Sequence, residues 1–235
     1  SHLIIFCIFV FMENHIRTKL SESQEDYLKH IFLLSEGRHS VSTQALADHL
    51  GIKPASVTGM LKKLSEVNLV SYERYKGVQL TEAGEKVAIE VLRHHRLIEM
   101  YLSEVLGYSW DEIHEEAEKL EHHISEKFEQ RIAEKLGHPT HDPHGDPIPD
   151  HNLKFPDGPE LYALSKCTAG YSVTIKRVRS QDSDALNLLS KLDLVINREI
   201  RIIDTSDDGV RVQLNKDRFL VPQSIARQIL VELTH

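Results

Sequence analysis

Several residue types that mark secreted or membrane-spanning chains are scarce in this sequence. Its 235 residues include 2 cysteines, Cys7 and Cys167, too few for a disulfide framework and compatible with a reducing cytosol. The one long apolar run, Leu3 to Phe11, is far shorter than the roughly 20 residues that a membrane-spanning helix needs. No basic residue precedes that run and no small-residue cleavage site follows it, which excludes a secretory signal.

We interpret residues 1–11 as an upstream or expression-derived leader, with Met12 as the natural start; an interfacial anchor is the alternative. The chain is 40% hydrophobic and 27% charged, typical of a globular protein of one to three small domains. It lacks a Walker loop, a dinucleotide-binding glycine string, a zinc-type cysteine pair and a Ser/His/Asp elbow. Histidine, by contrast, is abundant: the chain has 15 histidines, whereas Phe, Trp and Tyr together make up only 6% of it. This abundance favours metal binding or titration near neutrality.

Proline divides the chain into two parts. Six of the 8 prolines fall between Gly137 and Glu160, a stretch that interrupts regular structure as a linker or an ordered functional loop. Before it the apolar spacing is mostly helical, and after it short alternating strands are predicted. We therefore place a domain boundary in the loop of residues 138–160.

The first half predicts a helix-turn-helix followed by a hairpin. Capping residues Ser21 and Ser42 open two helices, and Gly51 turns the chain into a third helix that begins at Pro54. After it, two short apolar strands flank the segment Glu73–Gly77, which predicts a hairpin with a basic tip that ends in glycine. This pattern is typical of a winged helix.

The predicted winged helix is locally basic within an acidic protein. The chain carries a net charge of −8, which disfavours binding to nucleic acid. The segment between Gly51 and Leu80, however, contains five basic residues and only two acidic ones. In a helix-turn-helix the start of the second helix enters the major groove, and small or hydroxylated residues there permit close approach. Four residues provide that close approach: Ala55, Ser56, Thr58 and Gly59. We predict that Ser56 and Thr58 bond base edges or phosphates. The cations would mainly hold the DNA backbone, and they are Lys53, Lys62, Lys63, Arg74 and Lys76. A solvated basic face, or a winged helix that binds protein, is the alternative.

Histidines and carboxylates recur at helical spacing on two neighbouring helices. His95 and Glu99 are four residues apart on a helix predicted from Thr81 to about Glu104, so both leave one face. On the next helix, which a capping box from Ser109 to Glu112 opens, four such residues share a face: His114, Glu118, Glu121 and His122. Burying these carboxylates without a cation would be costly, so such a face requires either water or metal. Asp26, on the first helix, is a further candidate ligand.

The same region is acidic throughout, so alternatives to a metal site stay open. From Glu99 to Leu136 there are 11 acidic against 4 basic residues, and some of these carboxylates belong to the surface. We expect His94 to be exposed. The segment His114–Glu118 approaches the zincin pattern but ends in glutamate where that pattern requires histidine. A di-metal hydrolase, a metal-independent winged-helix regulator and a metal-buffering protein are the alternatives.

The C-terminal part predicts a small β-barrel-like domain. Its alternating segments are Ser172–Val178, Glu199–Ile203, Val210–Leu214 and Arg218–Val221. A short helix from Ser183 to Leu192 interrupts them. With about 75 residues, the domain is close to the smallest size at which a core is stable alone.

Three stretches together resemble the diphtheria toxin repressor family of metal-dependent transcriptional regulators, and in particular its manganese-responsive branch. They are Ser42–Leu80, Arg93–Glu99 and Ile113–His122, of which the third is the most specific. The resemblance implies a mainly α protein with a β-rich tail. Its expected parts are an N-terminal winged helix-turn-helix over residues 12–84, a helical dimerisation and metal-binding domain over 85–137, the linker loop, and a C-terminal SH3-like β-barrel over 161–235.

The resemblance also implies the metal ligands. One family site maps to Asp26, Glu118, Glu121 and His122, with His95 close by, and a second maps to His95, Glu99 and His114. A Cys-Pro-His-Gly loop of some manganese regulators is replaced here by Asp142-Pro143-His144-Gly145, which offers Asp142 and His144 as ligands with a carboxylate in place of the thiolate. The oxygen-rich set suits Mn²⁺, or alternatively Fe²⁺, while Zn²⁺ or other divalent ions could bind in vitro.

The implied function is that of a cytoplasmic repressor and not of an enzyme. Family members bind palindromic operator DNA as homodimers when a divalent ion is bound, and they control metal homeostasis. On this view the ion relieves repulsion among carboxylates of separate helices, Asp26 included, and orders the winged helix. No membrane and no small-molecule substrate are expected as partners.

Overall fold

A computed structural model describes residues 20–35, 40–180 and 182–234. These residues form two compact units, and the boundary between the units in the sequence falls between Leu92 and Arg93. The predicted leader of residues 1–11 and the start at Met12 lie outside the described residues. None of the helices among these residues combines the length and the hydropathy of a membrane-spanning segment.

The first unit is a three-helix arrangement followed by a hairpin. Its elements are α1 (Glu22–Ser35), α2 (Thr43–Leu50), α3 (Pro54–Glu66), β1 (Val70–Glu73), β2 (Gly77–Leu80) and the first half of α4 (Glu82–Tyr101). The Ser42 hydroxyl accepts the Ala45 N–H at 3.0 Å to begin α2, and Gly51 ends it with a left-handed φ of 65°. Strands β1 and β2 pair antiparallel from Val70–Leu80 to Glu73–Gly77, as the predicted wing requires.

One apolar core holds the first unit together. Its fully buried side chains come from every helix and from the hairpin, and they include Leu28, Ile31, Leu46, Val57, Leu61, Leu64 and Val78. Because the apolar stripe of α3 faces this core, its opposite face is left to solvent.

The second unit begins with the second half of α4 and two further helices, α5 (Ile113–Leu120) and α6 (Glu126–Lys135). The helix predicted to reach Glu104 ends as an α-helix at Tyr101 and widens into a π-helical turn, Leu102–Leu106, that Gly107 closes with φ 74°. Only half of the predicted capping box ahead of α5 forms. Glu112 Oε2 accepts the backbone N–H of Ser109 at 3.0 Å, but the Ser109 hydroxyl donates to the same carboxylate instead of accepting a backbone N–H, and the N-cap of α5 is Glu112.

A six-stranded antiparallel sheet forms the C-terminal part of this unit. It comprises β3 (Tyr162–Ala163), β4 (Ser172–Val178), β5 (Glu199–Ser206), β6 (Gly209–Leu214), β7 (Asp217–Pro222) and β8 (Ile229–Thr234), with α7 (Ser183–Lys191) and α8 (Gln223–Ala226). The strand order is β3-β8-β4-β5-β6-β7. Within the described residues the sheet stays open between β3 and β7, so strand pairing does not close the expected barrel. The predicted β-rich character is confirmed, but β3 and β8 were not predicted.

The proline-rich loop is packed onto the second unit rather than extended. Its backbone folds back on itself, with the N–H of Asp142 donating to the Asp146 carbonyl at 2.9 Å. The N–H of Val178 on β4 donates to the His144 carbonyl at 2.8 Å, and Arg96 on α4 donates to the Pro147 carbonyl at 2.5 Å. The loop therefore connects the helices to the sheet through hydrogen bonds on both sides.

Candidate metal centre

Helices α4 and α5 direct two histidines and two glutamates into one region of the second unit. On α4, His95 Nε2 lies 3.0 Å from Glu99 Oε1. From α5, His114 Nδ1 lies 3.1 Å from His95 Nε2 and 3.3 Å from Glu99 Oε1. Glu118 Oε1 is 3.8 Å from both His95 Nδ1 and His114 Nε2. The four-residue spacing on each helix explains why all four side chains meet.

Glu121 and His122 lie just beyond α5, because that helix ends at Leu120. Glu121 keeps a helical backbone (φ −59°, ψ −28°), which leaves its side chain on the face that a longer helix would give it. Its buried carboxylate has Oε2 2.5 Å from His95 Nδ1 and Oε1 3.3 Å from His122 Nε2. The helix is shorter than predicted, but the predicted proximity to His95 is preserved.

The loop between α6 and β3 supplies Asp142 and His144. Asp142 is buried, and its Oδ1 accepts the backbone N–H groups of His144 at 2.8 Å and Asp146 at 2.9 Å. The His144 ring faces α4, with Nδ1 3.7 Å from Glu99 Oε2, while its Nε2 lies 3.2 Å from the Trp110 carbonyl oxygen. Glu99 thus lies between the two histidines of the helices and the histidine of the loop.

Two sets of three donor groups in the second unit lie close enough to share an ion. One set is His95, His114 and Glu118; the other is Glu99, Asp142 and His144. Within each set, one ligand atom per residue lies within 4.8 Å of the other two. The donors are imidazole nitrogens and carboxylate oxygens without sulfur, a chemistry that fits Mn²⁺ or Fe²⁺. All three residues of the second set are buried, so an ion there would be shielded from bulk water.

Burial and mutual proximity shift the ionisation of these groups. Burial disfavours the charged His95 imidazolium, but the charges and hydrogen bonds of Glu99 and Glu121 outweigh it and raise the pKa of His95 to about 10. Burial likewise opposes ionisation of Glu99, yet the His95 charge and hydrogen bonds from His114 and His95 hold the pKa of Glu99 well below its usual range. Burial and the charge of Glu99 raise the pKa of Asp142 well above its ordinary value. Protons thus neutralise part of the cluster, and a divalent ion would displace them.

His94 was expected to be exposed, but it is fully buried and contacts both Glu129 and the main chain of Glu121. Its Nε2 lies 2.8 Å from Glu129 Oε2 on α6, and its Nδ1 lies 3.1 Å from the Glu121 carbonyl oxygen. Glu129 also accepts from Arg93 Nε at 2.5 Å, and Arg93 donates to the Pro149 carbonyl. This network fixes the main chain that carries Glu121. The spacing of His95 and Glu99 on α4 could not predict this hydrogen-bond network.

Asp26, the remaining predicted ligand, belongs to the first unit. It lies on α1 and is half-buried. Its contribution to a metal site stays a prediction.

The predicted DNA-contacting residues lie at the N-cap of α3, on α3 itself and on the β1–β2 hairpin of the first unit. All but one are exposed: Lys53, Ala55, Ser56, Gly59, Lys62, Lys63, Arg74 and Lys76. Thr58 is half-buried, and its hydroxyl donates to the Pro54 carbonyl at 3.0 Å, which leaves its oxygen available as an acceptor. At the hairpin tip, Lys76 Nζ pairs with Glu73 at 2.6 Å, and the Arg74 guanidinium lies 5.0 Å from the Tyr75 ring centroid.

Three family models match successive parts of the chain. They are the N-terminal DNA binding domain of iron dependent repressors over residues 19–78, the iron dependent repressor metal binding and dimerisation domain over 81–150, and the FeoA domain over 162–233. Together they span the winged helix, the helices with the histidine and carboxylate cluster, and the sheet.

Individual relatives agree with these matches. An uncharacterised HTH-type transcriptional regulator of Methanocaldococcus jannaschii is 44% identical over 107 residues, which cover 45% of this chain and 86% of that protein. The iron-dependent repressor IdeR of Mycobacterium tuberculosis is 29% identical over 227 residues, or 91% of this chain and 98% of that one. Among solved structures, a manganese-dependent transcriptional repressor in complex with manganese matches with a TM-score of 0.83 and 33% identity, covering 90% of this chain and 100% of that chain.

Proposed function

Since the chain belongs to the diphtheria toxin repressor family of metal-dependent transcriptional regulators, we propose that it is a repressor that Mn²⁺ activates for operator binding. The coarser function follows from family membership: the chain is a metal-dependent transcriptional repressor, not an enzyme. The physiological ion, the ligands and the operator geometry are the proposed part.

The observation that carries the proposal is the buried set Glu99, Asp142 and His144 beside His95. Three carboxylates are buried in this part of the second unit, those of Glu99, Glu121 and Asp142, and buried carboxylates require compensating positive charge. Oxygen and imidazole donors without thiolate favour Mn²⁺, with Fe²⁺ as the second candidate because of the likeness to an iron-dependent repressor. Zn²⁺ would have to be rejected by site geometry rather than by intrinsic affinity.

Each predicted residue receives a role on this proposal. The metal ligands are Asp26, His95, Glu99, His114, Glu118, Glu121, His122, Asp142 and His144. When bound, the ions supply the positive charge that offsets these carboxylates. The residues that contact DNA are Lys53, Ala55, Ser56, Thr58, Gly59, Lys62, Lys63, Arg74 and Lys76. The exposed N-terminal turn of α3 would enter the major groove, and the hairpin tip would hold the backbone.

The protein would act as a homodimer on a palindromic site. The family model over residues 81–150 is a dimerisation domain, and two copies of α3 related by a twofold axis would meet half-sites about 10 bp or a multiple apart. Regulation of metal-ion homeostasis is the expected physiological role.

The decisive experiment is a gel shift with and without Mn²⁺. The DNA is a duplex that the Mn²⁺-loaded full chain selects from a random pool. We expect Glu121→Ala and His122→Ala to lose Mn²⁺-dependent binding while their circular dichroism stays native. Glu115→Ala, which removes an exposed carboxylate from the neighbouring helix α5, is the control and should behave like the wild type. An undiminished Mn²⁺ response in both ligand variants would refute the assigned site.

Two further conditions separate the remaining candidates. Equal binding in chelator and in Mn²⁺ would indicate a metal-independent winged-helix regulator. Anaerobic titration with Fe²⁺ and a parallel titration with Zn²⁺ compare the ions on the same duplex. Asp26→Asn, tested alongside, shows whether the first unit contributes a ligand.

A further inference from the structure

Trp110, the one tryptophan of the chain, lies where the helices, the loop and the sheet of the second unit meet. It precedes α5, and its side chain packs against the helical core that includes Ile98 and Ile113. The same side chain packs against the core of the C-terminal sheet. Its indole also stacks on the His144 ring, with centroids 5.4 Å apart and planes inclined by 20°. One side chain therefore contacts both cores and a proposed metal ligand.

The main chain of Trp110 determines which nitrogen of His144 faces Glu99. His144 Nε2 lies 3.2 Å from the Trp110 carbonyl oxygen, and a carbonyl can only accept, so Nε2 carries the hydrogen. In the neutral ring Nδ1 is then the nitrogen with the lone pair. That atom faces Glu99 Oε2 at 3.7 Å, too far for a hydrogen bond and suited to a ligand of a shared ion. A hydrogen bond of this kind is how a backbone group orients a metal-binding histidine.

The loop that carries His144 is also held by the sheet. The N–H of Val178 on β4 donates to the His144 carbonyl at 2.8 Å. Gly145 lies so close to β4 that a Cβ there would meet the Lys176 carbonyl oxygen at 1.9 Å. On the other side of Trp110, Asp111 accepts from the Asn187 amide of α7 at 3.0 Å. Movement of the His144 ring would therefore be transmitted to the packing between the helices and the sheet.

We propose that Trp110 is a positioning residue that holds the His144 imidazole toward Glu99 and couples ion binding at Glu99, Asp142 and His144 to the packing of the C-terminal sheet on the helices. This inference rests on the proposed function, because it requires that these three residues bind the ion. The coupling is reciprocal, so loss of the indole weakens ion binding, and ion binding stabilises the contact between sheet and helices.

The indole nitrogen makes a clean substitution possible. Trp110 Nε1 is buried and has no hydrogen-bond partner among the described residues. Trp110→Phe therefore keeps a flat ring against His144 and removes no hydrogen bond. Trp110→Ala removes the ring but leaves the carbonyl that orients Nε2. Because both variants keep the backbone carbonyl, comparison of the two isolates the contribution of the ring.

The test uses the full chain and counts bound Mn²⁺ by the electron paramagnetic resonance signal of the free ion. We expect Trp110→Phe to match the wild type and Trp110→Ala to bind one ion per chain about 10- to 100-fold more weakly, the effect of losing a residue that orients a ligand. His144→Ala identifies which ion is affected, and Phe128→Ala, an exposed aromatic on α6, is the control. If Trp110→Ala fails to fold, Trp110→Leu retains apolar volume without a ring to stack and replaces it.

A second measurement distinguishes coupling from simple loss of stability. Hydrogen exchange of α7 and β4 amides, with and without Mn²⁺, should show Mn²⁺-induced protection in the wild type and in Trp110→Phe, and none in Trp110→Ala. Unchanged Mn²⁺ affinity together with unchanged protection in Trp110→Ala overturns the inference alone. Wild-type protein that binds no Mn²⁺, or whose binding His144→Ala leaves intact, contradicts the proposed function and overturns the inference with it.

Discussion

The exposed cations of the first unit make a quantitative prediction for DNA binding. Lys62 on α3 and Arg74 on the hairpin are both exposed and belong to different elements, so removal of both tests the helix and the hairpin together. Lys76 is less suitable because Glu73 already pairs with it at 2.6 Å. We expect the double variant Lys62→Ala/Arg74→Ala to bind DNA with a weaker dependence on salt, since each cation that contacts phosphate releases a counterion.

The magnitude follows from the number of phosphates that the two side chains neutralise. Each neutralised phosphate adds about 0.9 to the slope of log affinity against log salt. The double variant leaves two phosphates per chain without a cation, or four in a dimer, which reduces the slope by about 3.6. Between about 50 and 200 mM salt, the affinity of the wild type should therefore fall roughly 150-fold more than that of the variant. A reduction of about 1.8 would indicate one winged helix per complex.

Fluorescence anisotropy of a labelled duplex, with Mn²⁺ in excess at each salt concentration, measures this slope. Lys216→Ala/Arg218→Ala removes the same two residue types from the exposed tip of the β6–β7 hairpin in the second unit, where Arg218 is the second residue of β7, and serves as the control. An unchanged slope for Lys62→Ala/Arg74→Ala, or an equal change in the control, would contradict the assignment of this surface to DNA.

Three further substitutions test the second unit. Glu99→Gln, which removes the carboxylate between His95 and His144, should lower the number of tightly bound Mn²⁺ ions per chain, counted by paramagnetic resonance, and full stoichiometry would exclude Glu99 as a ligand. Partial burial opposes ionisation of Glu129, yet hydrogen bonds and charge from His94 and Arg93 lower its pKa below the ordinary value, so its stabilising effect is present at neutral pH and is lost on acidification. Glu129→Gln leaves the buried Arg93 without its counter-charge, so it should lower the free energy of unfolding by about 3 kcal/mol at neutral pH, and the difference from wild type should vanish in acid. Urea unfolding at both pH values checks this. A difference that does not depend on pH would argue against the ion pair. Gly145→Ala, at φ +81° and against the Lys176 carbonyl, should cost about 2 kcal/mol or more in the same assay, and a neutral effect would show that the loop can move away from β4.

The elements with strong local signals could be predicted from the sequence. Ser42, Gly51 and Pro54 act through bonds and dihedral angles within a few residues, so they specify α2, the turn and the start of α3 without tertiary information. Strand β8 (Ile229–Thr234) has no such signal, because it is a short apolar run whose identity depends on pairing with the distant β4.

The residues of the candidate site likewise differ in whether a local sequence pattern predicts their position. Helical periodicity predicts that His95 and Glu99 leave one face, and it places Glu121 correctly even though α5 ends one residue earlier, because the backbone there stays helical. Periodicity cannot bring in Asp142 and His144, which lie on a loop distant from Glu99 in the chain, and only the family resemblance indicated them. His94 was wrongly expected to be exposed, because the packing of α6 and of the chain around Glu121 onto α4 buries it.

On the proposed ligand set, Asp142 supplies a carboxylate where some manganese regulators carry a thiolate, and this has a consequence for redox chemistry. Among the described residues the only thiol is Cys167, which is buried in the sheet core with its Sγ against the Ala163 carbonyl. Peroxide therefore finds no sulfur at the histidine and carboxylate cluster to convert to sulfenate. On the proposed ligand set, peroxide cannot abolish metal binding by oxidising a cysteine ligand.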